Sequence, residues 1–214
     1  MPTGTWGRLP AARRTAVLAA AEAEFAARGF SGGSLNTICR EAGVSKGSLF
    51  QYFADKADMY VHLADLAGAR VRAALEAEIA RLDWAADFHG SLAALTAAWI
   101  RYFDEHPLER ALTAAAALEA DPAARTPVRA AVDRHYLAVL RPLLDKGVAE
   151  GCLRPGTDTE ALLSLLVLVL PHLALAPHVQ GLDPVLGLAE GDGEHAVATA
   201  QRVIGVLLGP YRAG

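Results

Sequence analysis

The chain has 214 residues, 21% of them charged and 53% from the AVILMFWYC set, with a formal net charge of −4. That is ample apolar material for a core and excludes a chain disordered over long stretches. The negative sum also excludes a protein that coats nucleic acid indiscriminately. The charge is unevenly placed. Residues 1–60 hold seven basic side chains (Arg8, Arg13, Arg14, Arg28, Arg40, Lys46, Lys56) against five acids (Glu22, Glu24, Glu41, Asp55, Asp58), whereas the remainder holds thirteen against nineteen. A mildly basic head on an acidic body suits a local contact with a polyanion.

The opening "MPTGTWGRLPAARR" has no apolar run of the kind a secretory signal needs, so a cytoplasmic protein is expected. Cys39 and Cys152 stand far apart with no metal-like spacing and read as small reduced hydrophobes. From about Pro10 to Arg28 the pattern is helical, with Val17, Leu18, Ala21 and Phe25 on one stripe and Gly29 where a left-handed cap belongs. A short helix follows from Ser34, its N-cap, to Ala42, with Leu35, Ile38 and Cys39 inward and Gly43 ending it. Ser45 caps a third, whose buried face carries Leu49 and Phe53, leaving Lys46, Gly47, Ser48, Gln51 and Tyr52 outside. Two short helices joined by a tight turn, the second with a polar outer face, make a helix-turn-helix.

Asp55 opens the next helix, with Asp58 three positions on as an approximate capping box, and the pattern runs to about Leu82. Gly, Pro and Asp then punctuate the chain at "DWAADFHG", "EHPLE", "DPAARTP", "EGCLRPGTD" and "HVQGLDPVLGLAEGDG", which gives five more helices and about nine in all. Strand signals are nearly absent, so the expected fold is all-α: a head over 1–56 and a helical bundle over 57–214. Ala161 to Leu182 carries no charge and approaches the length of a membrane span. Pro171, His172, Pro177 and His178 interrupt it and no Lys/Arg cluster flanks it, so the reading is a buried helix rather than a membrane segment.

The outer residues of the third helix have the chemistry of a groove reader. Lys46 offers a charged donor to guanine or phosphate, Ser48 a short donor and acceptor, and Gln51 an amide able to pair with an adenine edge or bond a phosphate. Gly47 lets the helix approach closely, Tyr52 places a hydroxyl on a stiff ring, and Arg40 and Lys56 add charge at the flanks.

Over residues 10–60 the sequence resembles the tetracycline-repressor (TetR) family of transcriptional regulators, most clearly at "RGF", "SLNTICREAGVSKGSLFQYFADK" and Phe25. It differs in having Phe50 to Phe53 as Phe-x-x-Phe where the family has Tyr-x-x-Phe, and Gly33 where the family often has Thr. The resemblance places DNA contacts at Ser34, Thr37, Ser45, Lys46, Ser48, Gln51, Tyr52 and Lys56, and a small core at Phe25, Ile38, Ala42, Val44, Leu49 and Phe53. "GVAEGCLRPGTD" resembles the turn ending the family's seventh helix. The resemblance further implies a homodimer through the last two long helices, here about 158–178 and 193–210, a palindromic operator, and repression relieved by a small effector.

In the body, Trp99, Tyr102, Phe103, His135, Tyr136, Val139, Leu166, Leu170 and His172 are candidates to line an apolar effector cavity, with core packing as the competing reading of each. No cofactor and no metal site is expected, because no His, Cys or carboxylate pair stands at ligand spacing. No nucleophile-base motif or phosphate-cradling glycine loop points to an enzyme. The alternatives are a DNA-binding dimeric regulator without an effector and a membrane protein using Ala161–Leu182.

Overall fold

The computed structural model describes residues 2–212, and ten α-helices organise them: α1 (Gly4–Gly7), α2 (Ala11–Gly32), α3 (Leu35–Ala42), α4 (Lys46–Tyr52), α5 (Lys56–Ile79), α6 (Phe88–Glu105), α7 (Pro107–Ala117), α8 (Pro122–Ala149), α9 (Thr159–Leu175) and α10 (Gly193–Leu208). Among the described residues there is no strand, only an isolated antiparallel bridge between Leu153 and Arg212. The all-α expectation holds. The tenth helix is the four-residue α1, which lies in the opening segment that sequence reasoning left without structure.

The chain divides into two compact units. One holds the chain up to Arg70 together with Pro107–Asp133, and the other holds Val71–His106 together with the chain from Arg134. The boundaries fall within α5, between α6 and α7, and within α8, whereas the division drawn from the sequence lies at 56/57.

In the first unit, Val17, Ala21 and Phe25 of α2 meet Ile38, Leu49 and Phe53, and α5 adds Met59, Tyr60 and Leu63, all at or below 2% exposure. The Tyr60 ring lies 5.1 Å from Phe25 and 5.6 Å from Phe30. At Gly29 (φ 62°, ψ −172°) α2 leaves helical geometry, so its regular part ends at Arg28 as expected, and a last turn carries the chain to Gly32. At Gly33 a Cβ would lie 2.7 Å from the Phe25 ring and 2.9 Å from the Gly29 carbonyl. This close approach leaves no room for a side chain at position 33. α7 packs on α2. Arg70 of α5 ties the two together, ion-paired at 2.8 Å both to Glu22 of α2 and to Glu109 of α7.

In the second unit α6 packs on α9 and α10. The long α5 stops at Ile79 rather than Leu82, and the Trp84 indole N–H donates to the Ile79 carbonyl at 3.0 Å. Trp84 is 3% exposed and its ring is 5.6 Å from Phe88. The uncharged stretch forms α9, capped by Asp158 accepting from the Ala161 amide at 3.0 Å. The helical stretch Thr159–His178 is long and apolar enough to cross a membrane, but 44% of its most apolar window is buried within the protein. Leu162, Leu163, Leu166, Leu170 and Leu173 form the buried face, while Leu165 and Leu168 are exposed at 39% and 64%.

Candidate nucleic-acid interface

Local backbone chemistry sets the geometry of α3, the turn and α4. The Ser34 hydroxyl accepts from the Thr37 amide (3.4 Å), and the Ser34 amide donates to Glu24 Oε1 (2.9 Å), which joins the start of α3 to α2. α3 ends in a Schellman motif: Gly43 is left-handed (φ 64°, ψ 33°), its amide donates to the Arg40 carbonyl, and the Val44 amide donates to the Cys39 carbonyl. Val44, 8% exposed, turns inward, and Ser45 then caps α4 by accepting from the Ser48 amide at 3.1 Å. The Ser45 and Ser48 hydroxyls also share a hydrogen bond at 2.9 Å.

On this frame Arg40, Ser45, Lys46, Gly47 and Gln51 are exposed, and Ser34, Thr37, Ser48 and Lys56 are half-buried. Lys46 has no carboxylate partner among the described residues. Arg40 pairs with Glu41 at 3.0 Å, an exposed pair of little energetic weight. Lys56 lies 4.7 Å over the Phe30 ring and donates to the Ser31 carbonyl at 3.4 Å, which holds its charge beside the end of α2. Gly47 is informative because a Cβ there would meet nothing nearer than Ser45 Oγ at 3.9 Å. Internal packing therefore does not require glycine, although glycine costs a helix interior about 1 kcal/mol relative to alanine. The glycine leaves this face of α4 open to close approach from outside.

Tyr52 departs from the expectation. It is 5% exposed and packs 5.8 Å from the Trp6 ring, not outward. It lies three residues after Leu49 and next to Phe53, so helical geometry puts all three on one face. The aromatic that does face solvent on α4 is Phe50, 45% exposed. Sequence reasoning also missed Trp6, which is 8% exposed and whose ring lies 5.0 Å from Phe53 and 6.2 Å from His62. A tryptophan in the glycine-containing opening stretch "TGTWG" was the available signal. Burial holds the His62 imidazole below its ordinary pKa against the opposing pull of Asp65, and it pushes the Cys39 thiol up against the opposing pull of Lys46. Cys39 is a free thiol buried in the core.

The effector candidates lie in the second unit. Trp99, Phe103 and Tyr136 form an aromatic cluster, with ring centroids 6.3 Å apart for Trp99–Phe103 and 5.1 Å for Trp99–Tyr136. His135, Val139, Leu166 and Leu170 are buried. Tyr102 is half-buried, stacks on His106 at 4.0 Å, and lines an open cleft of about 420 Å³ with Leu75 and Arg101. His172 is exposed and so does not join the buried candidates. Among the described residues the Trp99 indole N–H is buried without a hydrogen-bond partner. No group of metal-ligating side chains occurs among the described residues.

Residues 17–63 match the family model described as bacterial regulatory proteins, tetR family. No curated protein matches the chain. Among solved structures, a TetR-family transcriptional regulator from Chloroflexus aurantiacus is 26% identical, with 99% of each chain covered and a TM-score of 0.64. A TetR-family regulator from Mesorhizobium loti is 19% identical over 98% of this chain and 100% of that one, with a TM-score of 0.70. The regulator FadR from Bacillus subtilis, solved in complex with stearoyl-CoA, is 18% identical over 90% of this chain and 96% of its own, with a TM-score of 0.70.

Proposed function

Because its head matches the TetR family and its whole length has the fold of solved regulators of that family, we propose that the chain is a cytoplasmic homodimeric repressor that binds a palindromic operator and is released by a small apolar effector. The observation that carries the DNA-binding part is the outer face of α4, where an unpaired Lys46, an exposed Gln51 and an internally unnecessary Gly47 share one capped helix. Lys46 and Gln51 supply base and phosphate contacts, and Ser34, Thr37, Ser45, Ser48, Arg40 and Lys56 hold the backbone on either side. Dimerisation is supported by the apolar side chains that α9 and α10 leave in solvent: Leu165 and Leu168, and Val206 at 75% exposure. A twofold pair would set the half-sites about one helical turn of DNA, roughly 34 Å, or a multiple of it apart.

The effector reading rests on the Trp99 cluster. A buried N–H without a partner costs about 1–3 kcal/mol, which a polar group on an otherwise apolar ligand would recover. Release would follow if the effector bound better to a conformation that fits the operator poorly. The FadR neighbour's stearoyl-CoA makes long-chain acyl compounds the first class to try.

The test is selection of pooled genomic fragments by the purified protein beside a Lys46→Ala/Gln51→Ala variant. A shared palindrome enriched by the wild type and lost in the variant is the expected result. No enrichment, or enrichment indifferent to the variant, would overturn the reading. Tyr52 is left out of this variant because its burial would confound binding with folding.

A further inference from the structure

The segment before α2 lies outside the family match, and it is built onto the end of α4. A helix leaves its last four carbonyls without intrahelical partners, and a seven-residue helix is too short to hold its own final turn firmly. Here that turn is completed from outside. The Leu49 carbonyl accepts from the amide of the helix's own C-cap, Phe53, at 3.0 Å, but the Tyr52 carbonyl accepts from the Thr3 amide at 2.9 Å and the Gln51 carbonyl accepts from the Thr3 hydroxyl. Thr3 is the N-cap of α1, where a threonine hydroxyl ordinarily accepts from its own helix. It makes no such bond, and its hydroxyl is given to α4 instead. Three residues on, Trp6 closes over Tyr52, Phe53 and His62. One of the two residues whose carbonyls Thr3 holds, Gln51, also carries an exposed polar side chain on the outer face of α4.

We propose that Thr3 and Trp6 are positioning residues for DNA recognition: α1 clamps the last turn of α4 and thereby fixes the pose in which Gln51 and Phe50 meet the groove. This rests on the DNA-binding reading above. The competing role for the same contacts is plain stabilisation of the head, which would affect every function of the head equally.

The test uses the full-length chain and the palindrome selected by the wild type; absence of such a palindrome would count against the DNA-binding reading and not against the clamp. Affinities for that palindrome and for unrelated duplex are measured across salt, with thermal midpoints, for Trp6→Ala, Trp6→Phe, Thr3→Val and Gln51→Ala, and for the Trp6→Ala/Gln51→Ala pair. Trp6→Ala is expected to lose about tenfold or more in specific affinity, the size of one base contact, with affinity for unrelated duplex and its salt slope unchanged. Trp6→Phe should restore most of that loss. In the Gln51→Ala background Trp6→Ala should cost little further, because both remove the same contact. Thr3→Val, an exposed site where only a hydroxyl is lost, carries the test should Trp6→Ala fail to fold, and is expected to weaken discrimination at the base pair that Gln51 reads. Specific affinity unchanged in both Trp6→Ala and Thr3→Val, parallel loss on both DNAs with a lowered midpoint, or full additivity with Gln51→Ala would overturn the proposal.

Discussion

α4 and α9 each show two faces, and their differences separate what a helix needs from its own protein and what it keeps for another molecule. α4 is short, capped by Ser45 and polar outside, and its solvent face contains a glycine that nothing inside explains. α9 is long and apolar nearly all round, and its solvent face repeats the leucines of its buried one. A polar face with an unneeded glycine fits a charged, grooved partner. An apolar face exposed beside a buried one fits a second protein surface. Composition alone separates these two helices, but only exposure shows which residues of each are spare.

The sharpest way to break this comparison is to move substitutions from one face to the other. Leu49→Ala, on the buried face of α4 at 1% exposure, should cost about 2–5 kcal/mol in denaturant unfolding and take DNA binding with it. Leu168→Glu, on the solvent face of α9, should leave the monomer folded but shift light-scattering mass from dimer to monomer; an unchanged mass would remove α9 from the proposed interface. Gly47→Ala should stabilise the head by about 1 kcal/mol while weakening operator binding. Stabilisation without weaker binding would show that nothing approaches Gly47 closely.

His62 sharpens the comparison by pH. Its folded pKa lies below the 6.5 of the free side chain because burial disfavours the imidazolium, so the unfolded chain binds more protons in the interval between the two values. The stability this residue contributes is therefore present above pH about 6.5 and is lost as pH falls below it. The thermal midpoint of the wild type should fall more between pH 7.5 and 5.5 (values set around that pKa) than that of His62→Phe. Smallest of all, Lys46→Ala/Gln51→Ala should change unfolding free energy by less than about 0.5 kcal/mol, as surface changes do, while abolishing the selected palindrome.

The head was legible because its signals are local. Ser34, Gly43 and Ser45 each act within three or four residues of their own positions, and caps of that kind can be read without knowing what lies across the fold. Tyr52 was misplaced because its hydroxyl outweighed its register: position 52 shares a face with 49 and 53, and Trp6, distant in sequence, supplies the surface it packs on. His172 failed for a related reason. It follows the buried Leu170 by two residues, about 200° around the helix, which carries it to the opposite side. In α9 composition disclosed burial but not its direction, since leucine occupies both faces. α1 was invisible because a four-residue helix has no periodicity to detect, and its bonds to α4 span some fifty positions.

Glu119 gives the last lesson. Its carboxylate accepts from the amides of Phe30 (3.3 Å) and Asp121 (2.9 Å), so one side chain closes the end of α2 with a residue that leaves the ribosome 89 positions later. Glu109, which completes the Arg70 pairing, is similarly late. During synthesis the first unit must wait for residues up to Asp133 before it can assemble fully, with the intervening stretch that belongs to the other unit already made. For the same reason a graft of residues 1–56 onto a foreign body would leave part of its scaffolding behind, and a chimera meant to carry this DNA specificity should take Pro107–Asp133 with it.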